Sequence, residues 1–238
     1  MLPVAILAGG LARRLWPASR RIPKAMLDVL GEPFVAHQLR LLKASGFERV
    51  VICAGFLGDQ IQRFVGDGSR FGLEVAFSFD QPRLLGTAGA LRYALPLLGD
   101  RFFVLYGDAY LPCAYRVVGE RFNSAGKAAL MTVFRNADRW DRSNVEFANG
   151  VIVRYDKRVH EPSMHHIDYG LGVLSRAAIE LVPAGQPYDL ERLYQRLLER
   201  GELVGFEVYE RFYEVGSFSG IRDLSAYLSA HRRAVEAR

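Results

Sequence analysis

Apolar runs and amphipathic stretches alternate through the first half of the chain. Val4–Leu7, Arg49–Cys53, Glu74–Phe79 and Phe102–Tyr106 are short and rich in apolar residues, so each predicts a buried strand. Between them Phe34–Ala44, Gly58–Val65 and Thr87–Leu95 repeat apolar residues at three- and four-residue spacing, which predicts helices. Such alternation implies right-handed crossovers and a mostly parallel sheet covered on both faces. Ligands of such sheets bind beyond the carboxyl ends of the strands, where Gly9-Gly10 and Gly107-Asp108 fall.

The second half has a different texture. Ala129–Phe134, Val145–Phe147, Val151–Tyr155 and His166–Leu174 are strand-like, and Asn149-Gly150 is a hairpin signal between two of them. Helices are expected at Ser175–Leu181 and Asp189–Glu199, then a strand at Leu203–Tyr209 and a last amphipathic helix near Ser219–Ala234. No repeat, low-complexity segment or dividing linker interrupts the pattern. The expectation is α/β class, one domain over 1–238, with a mostly parallel mixed sheet.

Composition narrows the function classes. Half of the 238 residues are hydrophobic and 24% are charged, as in a soluble enzyme with a substantial core. A net charge of +5 suits an anionic small substrate. The arginines are scattered rather than gathered with aromatics, so a nucleic-acid partner is not expected. No apolar run approaches the roughly 20 residues of a membrane span, and no basic segment precedes the first apolar run. A cytoplasmic protein, monomer or homodimer, is expected. Cys53 and Cys113 read as buried thiols, and His160, His165 and His166 do not form a recognised zinc set.

The opening segment carries the first chemistry. After Val4–Leu7 come Ala8, Gly9 and Gly10, where backbone N–H groups can approach a phosphate without an intervening Cβ. Arg14 and Lys24 follow, one able to grip a triphosphate by a bidentate fork and the other as a point charge. The pattern is neither the dinucleotide fingerprint nor a P-loop, since no G-K-[ST] follows the glycines. A second element, Phe103 to Tyr110, places Asp108 just past a buried strand, where a carboxylate can bind Mg²⁺ with substrate phosphates or simply close a Gly-Asp turn. A third, Leu85-Gly86-Thr87-Ala88-Gly89, offers Thr87 as N-cap of the following helix.

Together these stretches, GGLARRLWP with Pro23-Lys24, LGTAGAL and YGDAY, resemble the signatures of the sugar-1-phosphate nucleotidyltransferases, with Arg13 where that family usually has threonine. The resemblance runs from Leu2 to the helix after Gly216. It implies a Rossmann-like α/β/α sandwich of the nucleotidyltransferase type, with a nucleotide-binding part over about 1–112 and a sugar-phosphate part over about 113–238. It also implies the reaction NTP + sugar 1-phosphate → NDP-sugar + pyrophosphate, with Mg²⁺ as cofactor.

Residue by residue, the resemblance makes Arg14, Lys24 and Asp108 catalytic. Leu7, Ala8, Gly9, Gly10, Arg13, Gln81, Gly86 and Thr87 would meet the nucleotide. Glu214, in the place of a late-strand aspartate, would share the metal with Asp108 or act as a cap. Asp156, Lys157, Asp168, Tyr169 and Gly170 would meet the sugar phosphate. Gln81 stands where thymidylyl and uridylyl members read the base, and a carboxamide suits a pyrimidine edge. The segments Phe71–Leu73, Leu105–Asp108, and Tyr155–Arg158 with Ile167–Gly170 look more like guanylyltransferases for manno-configured hexose or heptose 1-phosphates, which sets the expectation at GTP with UTP or dTTP as the alternative. From the 238 residues, the left-handed β-helix and acetyltransferase activity of bifunctional members are not expected. A catalytically silent sugar-nucleotide sensor and a glycosyltransferase are the readings from other classes. The second is disfavoured because D-A-Y stands where D-x-D would be.

Overall fold

The computed structural model describes residues 1–10, 21–80 and 83–236, with side chains described up to His231. Arg13, Arg14 and Gln81 therefore lie outside the described residues. Strand β1 (Val4–Ala8) leads to a 3₁₀ turn at Lys24–Met26, the short hairpin β2 (Asp28–Val29) and β3 (Glu32–Pro33), and helix α1 (Phe34–Ala44). Then come β4 (Arg49–Ala54), α2 (Gly58–Val65), β5 (Glu74–Phe79), α3 (Gly86–Leu98) and β6 (Arg101–Tyr106). The chain continues through β7 (Ala109–Tyr110), α4 (Tyr115–Ala125), β8 (Ala129–Arg135), β9 (Val145–Ala148), β10 (Val151–Tyr155) and β11 (His166–Ser175). It ends with α5 (Arg176–Glu180), α6 (Leu190–Glu199), β12 (Leu203–Val208), β13 (Tyr213–Glu214) and α7 (Phe218–Glu236).

Among the described residues the central sheet has nine strands, in the order β10-β9-β11-β6-β1-β4-β5, with β8 on β11 and β12 on β8. β6, β1, β4 and β5 run parallel, as does β12 with β8, while β11 is antiparallel to β6 and β8. It is the mixed, mostly parallel sheet that the alternation implied.

Alternation along β1 distributes the core between two faces. Val4, Ile6 and Ala8 face a layer built from α1, α2 and α4, including Leu39, Ile61 and Phe122. Ala5 and Leu7 face the opposite layer of α3, α5 and α6, including Leu91, Ile179 and Leu193. A smaller cluster of Val29, Phe34, Tyr110, Val215 and Leu224 seats α7 against the β2–β3 hairpin. All of this packing leaves the carboxyl ends of β1 and β6 side by side, with Leu7 opposite Tyr106.

The sequence pattern predicts no helix at α4, because Gly119 and polar residues dilute its period. Yet Tyr115, Val118 and Phe122 share a buried face, and a methyl group on Gly119 would come 3.1 Å from the Phe103 ring. Helix α3 runs three residues beyond its expected end, with Pro96 in its last turn. Thr87 does not cap it. The N-cap position falls to Leu85, and the Thr87 hydroxyl serves another helix.

Candidate functional site

A cleft of about 270 Å³ opens at the carboxyl ends of β1 and β6. Leu7, Ala8, Gly9 and Gly10 form one wall as β1 ends, and Lys24 follows across the mouth. Gly86 and Thr87 form the wall opposite, and Asp108 closes the end toward β11. Eight of the residues expected to bind nucleotide or act in catalysis thus line one cavity.

The LGTAG segment is fixed by the turn that leads into α6. The amides of Ala88 and Gly89 donate to the Tyr188 carbonyl at 2.9 and 3.0 Å, and Tyr188 N donates back to Leu85 O at 2.8 Å. Gly86 has φ +70°, and a Cβ there would lie 2.9 Å from Tyr188 O, so two constraints both demand glycine. The Thr87 hydroxyl accepts from Leu190 N at 2.7 Å, capping α6 across 103 residues of sequence. Asp189, at the N-cap position of α6, makes no side-chain capping bond and lines the cleft instead. Buried Asp80 holds the segment from the other end by accepting from Leu85 N at 2.8 Å.

The turn carrying Asp108 is gripped from three sides. Gly107 N donates to Leu7 O at 3.0 Å, and Val215 N donates to Asp108 O at 2.9 Å. The carboxamide of Gln38, buried within α1, donates to Tyr106 O and Ala109 O at 3.0 and 2.8 Å, bracketing the turn. The Asp108 carboxylate pairs with the Lys24 ammonium at 2.6 Å.

Glu214 is beside this turn through its backbone, since β13 pairs with β7 and sets Glu214 opposite Ala109. Its carboxylate accepts from Gly216 N at 3.2 Å and from the Ser217 hydroxyl at 3.0 Å, at the start of α7. A methyl group placed on Gly216 would lie 2.5 Å from Glu214 Oε2 and 3.6 Å from Lys24 Nζ. Lys24 and Asp108 line the cleft, whereas the Glu214 carboxylate lines a neighbouring crevice with Ser217 and Asp223. Among the described residues no group of three or more His, Cys, Asp or Glu is placed to hold a metal.

The residues expected to meet the sugar phosphate lie beyond Tyr106 and divide into two kinds. Lys157 and Asp168 form an ion pair at 3.1 Å, with the aspartate side chain only 4% exposed. That carboxylate also accepts from the Tyr155 hydroxyl and from Gly170 N, both at 3.0 Å. Burial works against the Lys157 charge, but Asp168 and Tyr106 outweigh it and hold the ammonium above the usual lysine range. The amide of Lys157 is fixed by Glu191 in the first turn of α6 at 2.7 Å.

Asp156 and Tyr169 have other occupations. Asp156 accepts from the amides of Val159 and Arg158, which hold its carboxyl below the usual carboxylate range and close the turn after β10. The Tyr169 ring is 2% exposed, packed between Phe134 and Phe212, and is not among the cleft-lining residues. Gly170 has φ +94°, and a Cβ there would come 3.3 Å from the Tyr106 ring.

Four residues at or beside the cleft carry no signal that the sequence reading uses: Asp80 and Asp189 in its lining, Tyr106, and Gln38 behind the Asp108 turn. Tyr106 passed for the last apolar residue of a strand, although its hydroxyl reaches Lys157. Gln38 does carry a signal in the sequence: with His37 it is a polar residue in a helix whose other buried residues, Phe34, Val35, Ala36, Leu39 and Leu42, are apolar.

Comparison with known proteins decides the lineage. A family model described as nucleotidyl transferase matches residues 4–160. The chain belongs to the nucleotidyl transferase family. Within that family it is 29% identical over 213 residues to a UTP–glucose-1-phosphate uridylyltransferase of Synechocystis, covering 82% of this chain and 55% of the relative. It is 43% identical over 104 residues to an N-acetylmuramate α-1-phosphate uridylyltransferase of Neisseria meningitidis, covering 43% of this chain and 45% of that one. The chain thus spans about half the length of these curated relatives. Its fold matches crystalline HddC from Yersinia pseudotuberculosis complexed with GMP-PN, with a TM-score of 0.80, 23% identity and coverage of 96% and 100% of the two chains. No helix among the described residues is long and apolar enough to cross a membrane.

Proposed function

We propose that the chain is an enzyme that transfers a nucleotidyl group from a nucleoside triphosphate to a sugar 1-phosphate, releasing pyrophosphate. The reading is carried by family membership over residues 4–160 together with a single cleft that gathers Gly9, Gly10, Lys24, Gly86 and Asp108. In this reading an ionised oxygen of the sugar phosphate attacks the α-phosphorus in line and pyrophosphate leaves. The nucleophile is already an anion, so no strong general base is required. Catalysis is then positioning and charge neutralisation.

The backbone of Leu7 to Gly10 receives the triphosphate, and Lys24 exchanges Asp108 for a phosphate oxygen. Arg14 takes the charge of the departing pyrophosphate, with Arg13 adding to the positive field. Lys157 holds the sugar phosphate and Asp168 orients Lys157. Gly170 leaves room for the Tyr106 ring, while Asp156 and Tyr169 support the turn and the core beneath.

Asp108 lines the cleft and the backbone of Glu214 pairs beside its turn, and carboxylate oxygens suit Mg²⁺, which takes one or two carboxylates together with substrate phosphates; Glu214 would have to release Gly216 N and Ser217 to join it. Mg²⁺ held by Asp108 and Glu214 would neutralise charge on the phosphate oxygens. For the base, Gln81 favours UTP or dTTP, and the names of the two relatives favour UTP. GTP with a manno-configured hexose or heptose 1-phosphate is the second reading, carried by the segments at Phe71–Leu73, Leu105–Asp108, and Tyr155–Arg158 with Ile167–Gly170.

The test is pyrophosphate release with Mg²⁺, crossing UTP, dTTP, GTP, CTP and ATP against glucose, mannose, heptose and N-acetylmuramate 1-phosphates. Turnover with one pairing establishes the reaction and names the base. Silence across the panel with nucleotide still bound would favour the sensor reading.

A further inference from the structure

Tyr106 ends β6, two residues before Asp108, and its side chain stands between the two halves of the site. On one side it lines the cleft with Lys24 and Asp108, and on the other it borders a small crevice with Asp168 and Gly170. The Lys157 ammonium donates to the Tyr106 hydroxyl oxygen at 3.4 Å and lies 5.0 Å from the ring centroid. Asp168 takes that ammonium from another side at 3.1 Å.

A phenol offers one proton and one accepting oxygen. Lys157 uses the oxygen, and among the described residues no hydrogen bond takes the proton. A tyrosine phenol keeps its proton at neutral pH. Donation from an ammonium into the oxygen polarises the O–H bond and strengthens it as a donor. Asp168 meanwhile offsets much of the Lys157 charge, which leaves the hydroxyl as the uncommitted group at this wall. An acceptor carrying negative charge matches a donor pair of this kind better than a neutral hydroxyl does.

We propose that the Tyr106 hydroxyl is a substrate-binding donor, giving its hydrogen bond to a non-bridging phosphate oxygen of the sugar 1-phosphate beside Lys157. The inference rests on the reaction proposed above and adds to it a residue that bridges the nucleotide and sugar-phosphate halves.

The experiment compares wild type, Tyr106→Phe, Lys157→Met and the double variant. Phenylalanine keeps the ring that packs against Gly170 and removes only the oxygen. Steady-state pyrophosphate release is read with the best substrate pair, and inorganic phosphate binding is read by calorimetry. Tyr106→Phe should raise KM for the sugar 1-phosphate about tenfold, with KM for the nucleotide and the melting temperature nearly unchanged. The double variant should cost less than the product of the two single effects, because Lys157 acts partly through the hydroxyl. An unchanged KM for the sugar 1-phosphate, or a rise in KM for the nucleotide alone, overturns the inference. If wild type releases no pyrophosphate, phosphate binding that weakens in Tyr106→Phe keeps the donor and overturns the reaction. Phosphate binding indifferent to Tyr106, or absent in wild type, overturns the donor.

Discussion

The Lys24 ammonium stands 2.6 Å from an Asp108 carboxylate oxygen, joining the segment after β1 to the turn after β6. Both side chains are about a quarter exposed, at 26% and 28%, so the pair adds little to stability. Its value lies in presenting two opposite charges at the mouth of one cleft.

Asp108→Asn keeps the shape of the side chain and removes its charge. We expect pyrophosphate release to fall by at least about a hundredfold, with circular dichroism and melting temperature close to wild type. Lys24→Met should lose activity comparably. Near-normal turnover in Asp108→Asn would remove it from any metal or phosphate role.

Gln38 holds the Asp108 turn without touching the cleft. Gln38→Leu removes donors to two carbonyls and should cost about 2 kcal/mol in urea unfolding. It should also lower kcat while leaving KM for the nucleotide within about twofold, because β1 and its glycines stay in place. Equal loss in both parameters would mean that the helix, rather than the turn, had been disturbed.

Thr87 acts as the cap of a helix that begins 103 residues later. Thr87→Val keeps the branched shape but leaves Leu190 N without an acceptor, at a cost of about 1 kcal/mol. Thr87→Ser should recover most of it. A valine variant as stable as wild type would show that water caps α6 equally well.

Alkaline pH should weaken the fold. Burial pushes the Cys53 and Cys113 thiols and the Tyr106 and Tyr110 phenols up to about 12, from ordinary values of 9.0 and 10.0. Below the ordinary values the folded and unfolded chains both keep these protons, and the stability they confer is fully present. Above them the unfolded chain releases protons that the folded chain still holds, so stability declines as pH rises through that window. The urea midpoint measured at intervals from neutral pH to about 11 should fall steadily once pH exceeds about 9. A flat profile would show that these groups are hydrated.

The elements were largely legible in the residues themselves. Phe34–Ala44, Gly58–Val65, Glu74–Phe79 and Val151–Tyr155 form the very spans that their hydrophobic periods outline, because burial of one face rewards the same spacing that local geometry prefers. The two-residue strands β7 and β13 carry no period to read, and their pairing is what brings Glu214 beside Asp108.

The candidate site divides in the same way. Glycines at strand ends, a lysine after a loop and a carboxylate after Gly107 are local facts, and the chain alone displays them. Which charges face each other was decided by the sheet order, which sets β6 between β1 and β11 and so places Tyr106 between Asp108 and Lys157. Thr87 shows the limit most plainly. Its residue type announced a cap, but only the packing of α3 against α6 determined which helix receives it, since a hydroxyl bonds whichever amide the fold brings within reach.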